Sequence, residues 1–453
     1  MFYSTSLPYA ANARDYFLAI ADLPWAAWLD SGGRGRYDIL VAQPVTTLVT
    51  RAGNTTVTGA GGELACSGDP FSLLREKLGD KSANNLNVPF CGGALGYWGY
   101  DLARRWITLA EQDGAARGLP DMAIGIYDWA LVIDHQRQDA KLVSQLRHPQ
   151  TAQKMPEILE RLQTSPQKIK DHFCVTGAVA SNFSQAEYSA AFSRIHDYLI
   201  AGDCYQVNLA QRFTAPASGC AFEAYMRLRE ISPAPYSAYL NFPQGQILSV
   251  SPERFLQLKG DRVETKPIKG TRKRATDAES DARLIEDLKG NAKDRAENLM
   301  IVDLLRNDLS KNCVAGSVKV EKIFDVESYA NVHHLVSTVT GKLIEGRDAL
   351  SLLKDCFPGG SITGAPKRRA MEIIAELEPQ RRGIYCGSIG YIGWDGNMDT
   401  NIAIRTLIYE KGKVHGSAGG GIIADSVMEA EYEEVQHKAA GLLKMMLEFS
   451  KIE

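Results

Sequence analysis

The chain has 453 residues, of which 45% are hydrophobic and 23% charged, with a net charge of −3. This balance is typical of a globular protein with a sizeable core, and it argues against nucleic acid or an anionic membrane as a partner. Apolar runs such as A-L-V-I fall far short of the roughly 20 residues that cross a bilayer. The eight cysteines form no C-x-x-C pair, and the N-terminus lacks a signal-peptide pattern, so we expect a cytoplasmic protein with reduced thiols.

The order of patterns along the chain predicts three segments. Residues 1–148 predict many strands separated by glycines, as in Y-D-I-L-V-A and G-G-A-L-G-Y-W-G-Y-D. Residues 149–183 are polar and predict a surface helix and a connector. At Ser184, with Glu187 three residues later, a capping box opens a third segment, 184–448, in which helices and strands alternate.

The stretch E-T-K-P-I-K-G-T-R-K-R places Lys269 in a short β-prone run that we expect to end in a glycine turn. One interpretation is a lysine whose stem packs while its ammonium reaches water. The other is a buried amine with a lowered pKa that acts as a nucleophile. The stretch alone does not exclude either interpretation.

The segment N-A-K-D-R-A-E-N-L-M-I-V-D-L-L-R-N-D-L predicts a helix. Its apolar stripe contains Met300, Ile301, Leu304 and Leu305, and Glu297 falls inside that stripe one turn earlier. A carboxylate on a core-facing stripe needs a cation, a hydrogen-bond donor or a metal ion, because its burial is otherwise costly.

Two glycine-rich stretches predict loops that favour an anion. F-P-G-G-S-I-T-G-A-P-K runs into a helix with Pro366 near its first position, where free N–H groups favour phosphate or carboxylate. It does not match a Walker A loop. The second stretch, G-S-A-G-G-G-I-I, holds the consecutive glycines 419–421, and between the two Arg405 is predicted in an apolar strand. Each stretch alone fits ordinary turn chemistry; together with Arg405 they indicate a small substrate with carboxylates.

The C-terminal helix S-V-M-E-A-E-Y-E-E-V-Q-H-K-A-A-G-L-L-K-M-M also carries acids on its apolar side. Glu431 and Lys438 are predicted along the stripe of Val435 and Leu442, and Glu434 lies just beside it. Carboxylates without histidine or cysteine suit Mg²⁺. A buried salt bridge, for instance between Glu431 and Lys438, is the alternative that helical geometry leaves open.

In combination, four motifs resemble the chorismate-utilising enzymes: P-I-K-G-T-R, D-R-A-E-N-L-M-I-V-D-L-L-R-N-D-L, F-P-G-G-S-I-T-G-A-P-K and A-E-Y-E-E-V-Q-H-K-A. The resemblance is strong over residues 185–445 and looser over 15–140. It implies an α+β fold with four layers, α/β/β/α, in which two sheets pack face to face.

Within that family, lysine at position 269 is typical of the aminodeoxychorismate synthase component I branch, whereas anthranilate and salicylate synthases usually carry alanine there. The resemblance therefore implies a transferase that converts chorismate and ammonia to 4-amino-4-deoxychorismate, in 4-aminobenzoate and folate biosynthesis. No G-x-C-x-G elbow occurs, so ammonia is expected from a separate glutamine amidotransferase subunit. The alternatives are anthranilate synthase component I and a non-catalytic regulator that binds chorismate or an amino acid.

The resemblance also implies a role for individual residues. Lys269 would be the nucleophile and Glu253 the general acid, with His334 and Thr271 orienting the ring. Mg²⁺ would be held by Glu297, Glu431 and Glu434. The expected substrate-binding residues are Ser361, Tyr385, Arg405, Gly419, Gly420, Gly421 and Lys438. W-L-D-S-G and S-P-A-P-Y-S resemble segments of the tryptophan pocket of anthranilate synthases, which predicts an effector pocket at Ser31, Arg36, Tyr37, Pro235, Tyr236 and Ser237.

Overall fold

Alternating apolar residues in short glycine-bounded runs produce β-strands throughout the chain, as seen in the computed structural model. The structure describes residues 2–112, 118–164, 169, 171–329 and 332–450. The strands before residue 200 are β1 Tyr3–Leu7, β2 Ala26–Asp30, β3 Tyr37–Val41, β4 Thr46–Arg51, β5 Asn54–Gly59, β6 Gly62–Cys66, β7 Gly93–Trp98, β8 Met122–Tyr127, β9 Trp129–Asp134, β10 Asp139–Ser144, β11 Cys174–Val175 and β12 Ala180–Ser181.

The later strands are interspersed with helices, but they do not alternate with them one by one as predicted, because the strands between residues 236 and 273 follow one another without a helix. The later strands are β13 Gln206–Ser218, β14 Tyr236–Phe242, β15 Gly245–Ser251, β16 Arg254–Lys259, β17 Arg262–Thr265, β18 Ile268–Lys273, β19 Lys319–Ser328, β20 Val332–Lys342, β21 Gly364–Ala365, β22 Ser388–Gly393, β23 Met398–Asn401, β24 Thr406–Glu410 and β25 Lys413–Ile422.

The helices cover the two sheets. They are α1 Arg14–Leu18, α2 Pro70–Leu78, α3 Pro149–Gln163, α4 Gln185–Ile200, α5 Ala221–Ile231, α6 Ala278–Gly290, α7 Ala292–Ser310, α8 Ala349–Cys356, α9 Lys367–Leu377 and α10 Met428–Glu448, with short 3₁₀ helices at Tyr100–Arg105 and Gly360–Ile362. The capping box predicted at Ser184 and Glu187 is confirmed at the start of α4. None of the described helices is both long and apolar enough to cross a membrane.

Two antiparallel sheets carry the fold. The first has the order β1-β10-β9-β3-β2-β14-β15-β24-β25-β13-β11, and β12 and β21 also pair with β13. The second has the order β18-β20-β17-β16-β23-β22-β7-β8-β4-β5-β6, and β19 also pairs with β20. Because successive side chains of a strand point to opposite sides, each sheet has one inner and one outer face.

The inner faces pack against each other. Ala27 and Ile39 of the first sheet share a buried cluster with Leu95 and Tyr97 of the second. On the outer face of the first sheet, Trp28 packs in a cluster with residues of α1, α3, α5 and α10. Residues of α2, α7, α8 and α9 cluster with the outer face of the second sheet. The predicted four-layer α/β/β/α fold is thus confirmed.

Both sheets combine strands from either side of the predicted 149–183 connector. Strand β2 pairs with β14 in the first sheet, and β7 pairs with β22 in the second. Within the connector, α3 buries Met155, Ile158 and Leu162, and β11 and β12 pair with β13. The segment boundaries 1–148, 149–183 and 184–448 stay predictions about the chain.

Candidate active site

Lys269 is the second residue of β18, and the prediction that its run ends in a glycine turn is wrong. The strand continues through Gly270, whose φ is +83°, to Lys273, and its register with β20 shifts between Ile268 and Thr271. Glycine is needed there because it adopts positive φ without strain, and the result is a β-bulge rather than a turn. Burial lowers the pKa of the Lys269 amine, and the nearby Lys438 lowers it further, while Glu297 and Glu253 oppose this.

Glu253 follows β15 and is 5% exposed. Burial raises its pKa to about 7, against the opposing effects of a Ser361 hydrogen bond and the Lys269 charge. The Ser361 hydroxyl donates to Glu253 Oε1 over 2.7 Å. A carboxyl with this pKa is substantially protonated at neutral pH, which is what a general acid requires.

His334 and Thr271 face each other across paired strands. They are register partners in β20 and β18, and Thr271 Oγ1 lies 2.9 Å from His334 Nδ1. Burial lowers the pKa of His334 to about 3, and the charge of Arg405 adds to the effect. The imidazole is therefore neutral at physiological pH, so it orients a neighbouring group by hydrogen bonding rather than by charge.

The three predicted metal ligands come from two helices. Glu297 lies in α7, and Glu431 and Glu434 lie in α10. Burial raises the pKa of Glu297, and the charges of Glu434 and Glu431 raise it further, so the three carboxylates share one electrostatic environment. Glu431 is 3% exposed, and Ser426 Oγ donates to its Oε1 over 2.6 Å.

This all-carboxylate set has the donor chemistry that Mg²⁺ prefers. Among the described residues, however, no three histidine, cysteine or acidic side chains are close enough together to form a ready-made metal site. A Mg²⁺ ion held by these carboxylates would have to keep several water or substrate ligands, as Mg²⁺ usually does.

Lys293 is a site residue that the sequence analysis missed. Its ammonium lies 3.6 Å from Glu431 Oε1 and 3.9 Å from Glu297 Oε1. The signal was present, because Lys293 precedes Glu297 by four residues and so shares its helix face. The long-range contact with Glu431 was not visible in the sequence.

Lys438 does not lie along the buried stripe of α10 as predicted. Its side chain is 42% exposed, and it pairs with Glu434 at 2.6 Å instead of with Glu431. The four-residue spacing explains the pairing, since residues i and i+4 are neighbours on a helix. Lys438 Nζ also donates to the Gly419 carbonyl over 3.1 Å.

Glycines 419–421 lie in a strand, so the predicted loop is wrong here. They belong to β25 and pair in register with Ala210, Leu209 and Asn208 of β13. Side chains are excluded because neighbours approach closely: a Cβ on Gly420 would lie 3.0 Å from Glu431 Oε2. Without side chains, the strand lets α10 bring its carboxylates against the sheet.

Arg405 lies just outside the predicted strand, in a bend between β23 and β24 with φ +49°. Burial lowers the pKa of its guanidinium. Among the described residues, the guanidinium has no hydrogen-bond or ion-pair partner. A partly buried cation without a counter-ion is suited to an anionic ligand. Ser361 and Tyr385, two other predicted substrate-binding residues, are buried.

A cleft of about 690 Å³ lies on the predicted effector residues. Arg36, Tyr37, Pro235, Tyr236 and Ser237 line it. Ser31 is not among the lining residues; it is buried, and its hydroxyl has no partner in the described part of the chain. What this cleft binds stays a prediction.

Comparison with known proteins shows the family of this chain. A sequence model described as chorismate binding enzyme matches residues 26–444. The chain belongs to the chorismate-binding enzymes. It is 49% identical over 444 residues to aminodeoxychorismate synthase component 1 of Escherichia coli K12, covering 96% of each chain.

Other members of the family are similar too. Anthranilate synthase component 1 of Thermus thermophilus is 38% identical over 449 residues, with 95% of this chain and 96% of that protein covered. The crystal structure of anthranilate synthase component I from Streptococcus pneumoniae superposes with a TM-score of 0.81 at 31% identity, covering 91% of this chain and 92% of that one. The chain is thus a chorismate-utilising enzyme with the fold of component I.

Proposed function

We propose that this enzyme aminates chorismate at C4 to form 4-amino-4-deoxychorismate, a step toward 4-aminobenzoate and folate. The observation that carries the proposal is Lys269, a partly buried amine whose pKa is lowered by desolvation and which lies under the charges of Glu297, Glu253 and Glu434. The names of three relatives that are 47–49% identical to this chain support the same activity. A lysine that only packed its stem would have its ammonium in water, without this burial.

The proposed reaction uses an acid and a nucleophile together. The Lys269 amine attacks C2, the ring double bonds shift and the C4–O bond breaks, while Glu253 protonates the departing oxygen, which leaves as water. Ammonia then bonds to C4, the C2–N bond breaks with its electron pair returning to the lysine, and the surplus proton returns to Glu253. Thr271 and His334 would orient the ring and the departing groups.

A second group of residues binds the substrate in this proposal. Arg405 would take the enolpyruvyl carboxylate, with Ser361, Tyr385 and the backbone of Gly419–Gly421 around it, while Lys438 adds positive charge. Glu297 and Glu434, with Glu431 nearby, would hold Mg²⁺. When bound, the ion supplies positive charge for the ring carboxylate. The designation component 1 among the relatives supports a partner subunit, which we propose to be a glutamine amidotransferase that supplies the ammonia.

The test is the product formed by purified protein from chorismate, Mg²⁺ and ammonium, identified by mass and fluorescence. The proposal predicts a non-fluorescent product that keeps the enolpyruvyl group and has an amine in place of the hydroxyl. Lys269→Ala should abolish its formation while leaving the protein folded. Fluorescent anthranilate with released pyruvate would show instead that the enzyme is an anthranilate synthase component 1, the activity named for the Thermus relative.

A further inference from the structure

Arg382 and Glu378 form a buried ion pair that none of the proposed chemical steps uses. Arg382 is 4% exposed and Glu378 is 5% exposed. The guanidinium donates from Nε to Glu378 Oε2 over 2.9 Å and from Nη2 to Oε1 over 2.6 Å. A buried pair of this kind is weak as a source of stability, because desolvation offsets the attraction. The role of the pair is therefore inferred from the contacts that Arg382 and Glu378 make with other segments of the chain.

The remaining guanidinium donors reach two other chain segments. Nη1 donates to the Ile362 carbonyl over 2.9 Å, and Nη2 donates to the Asn208 carbonyl over 3.0 Å. Ile362 directly follows Ser361, whose hydroxyl bonds Glu253. Asn208 lies in β13 opposite Gly421. The Arg382 side chain thus connects the segment that carries Ser361 to β13, the strand that pairs with Gly419–Gly421.

The same pair also reaches the Tyr385 segment and a second point of β13. The guanidinium carbon lies 5.7 Å from the centre of the Tyr385 ring, and the Tyr385 N–H donates to the Arg382 carbonyl over 3.3 Å. Glu378 Oε1 accepts from the Ala210 N–H over 3.0 Å, opposite Gly419. A planar fork with five donors makes these simultaneous contacts, which an ammonium would not.

We propose that Arg382, held by Glu378, is a positioning residue that sets the relative places of Ser361, Tyr385 and strand Gly419–Gly421 for chorismate binding. The inference rests on the proposed placement of the enolpyruvyl carboxylate among these groups. Arg382 does not itself touch the substrate. Its loss lets the three segments shift, and a displacement of about 1 Å in a binding site costs on the order of 100-fold in rate.

Two full-length variants test the proposal: Arg382→Lys, which keeps the charge but not the fork, and the double variant Arg382→Met with Glu378→Leu. The double variant leaves no unpaired buried charge, so the fold should survive. With ammonium and Mg²⁺, and with chorismate consumption as the readout, we expect both to raise KM for chorismate by about ten-fold or more, with a smaller change in kcat. The alkaline fall in kcat/KM should also move to higher pH, because the Ser361 bond that lowers the pKa of Glu253 is weakened.

A matched control is Arg227→Met with Glu448→Leu, another bidentate arginine–glutamate pair, which joins α5 to the far end of α10. Its KM should stay at the wild-type value. Unchanged KM and pH profile in the folded Arg382 variants, or an equal change in the control, would overturn the inference.

If both Arg382 variants fail to fold, Asn208→Ala decides, because it removes only the 3.1 Å contact from Nη2 to Asn208 Oδ1. A raised KM supports the proposal and an unchanged KM overturns it. Failure of the proposed function would appear differently: the wild-type protein itself would not form the C4-aminated product.

Discussion

Glu253 and Lys269 show how burial sets the reactivity of single side chains. In water, a glutamate is ionised and a lysine is charged at neutral pH. Burial raises the pKa of Glu253 to about 7 and lowers that of Lys269. The two groups are thereby moved toward the protonation states that an acid and a nucleophile need.

The pKa of Glu253 leads to a pH prediction. The protonated carboxyl is the active form, so it is available below about pH 7 and is lost above it. Because Lys269 must also be neutral, kcat/KM should fall about ten-fold per pH unit above the higher of the two pKa values. Glu253→Gln should lower kcat by roughly 100- to 10,000-fold and remove that alkaline fall. Measurement of kcat/KM against pH checks this, and an unchanged alkaline limb in the variant would contradict the assignment.

Lys293 leads to a prediction about the metal. Its charge lies 3.6 Å and 3.9 Å from two of the proposed ligands, so it opposes a second cation by Coulomb repulsion. Lys293→Met should therefore tighten Mg²⁺ binding by a few-fold, measured as the rise in melting temperature with Mg²⁺ concentration. Lys289→Met on α6, whose lysine pairs with Glu286 at 3.4 Å, is the control and should leave the titration unchanged. Weaker binding in Lys293→Met would mean that the lysine supports the metal.

At the scale of elements, the bulge in β18 is the feature that the sequence did not predict, because the glycine after Lys269 suggested a turn. The run around Lys269 is β-prone, and a glycine within it signals either a turn or a bulge. Packing of α6 and α7 against the strand favours the bulge. Leu288 of α6 and Asp294 of α7 both have an atom within 3 Å of the position that a Cβ on Gly270 would take. Arg272 of the same strand bonds Asp287 and Asp294.

Gly270→Ala tests the bulge. The new Cβ would meet Asp294 Cγ and Leu288 Cδ1 at 2.9 Å, and φ is +83°. We expect a loss of roughly 1–3 kcal/mol in the free energy of unfolding and a fall in kcat as Lys269 shifts. Gly260→Ala is matched, since its φ is +61° but no atom lies within 4 Å; it should cost stability through strain alone and keep kcat. Equal kcat in both variants would show that the bulge does not place Lys269.

At the scale of the whole molecule, the two sheets join the N-terminal segment to the C-terminal segment, because each sheet contains strands from both. Strands before residue 149 pair with strands after residue 184 in both layers, as β2 does with β14 and β7 with β22. Separating the segments would expose strand edges and the inner apolar faces. The cleft on the predicted effector residues also takes its walls from both, for example Tyr37 and Tyr236.

This interleaving predicts a single cooperative unfolding transition for the full chain. Calorimetric and van't Hoff enthalpies should agree, and fragments 1–148 and 184–453 should not fold when produced separately. Two resolved transitions, or a folded fragment by circular dichroism and proteolysis, would contradict the prediction. Co-expression of the two fragments is the informative control, because strand pairing between them should restore solubility.

The sequence by itself determined the elements whose signals are local. The capping box at Ser184 and the helix that carries Glu297 follow from periodicity and side-chain chemistry within a few residues. The family resemblance supplied the fold, which the two stacked sheets confirm. Local patterns are sufficient there because hydrogen bonding and capping act over one or two helical turns.

Only the tertiary structure decided how distant segments meet. Glycines 419–421 form a strand because β13 and α10 pack against them, and Lys293 of α7 contacts Glu431 of α10. The lowered pKa of Lys269 and the raised pKa of Glu253 depend on burial by residues far away in the chain. Desolvation and charge pairing depend on distances in space, and a spacing in the sequence does not contain them.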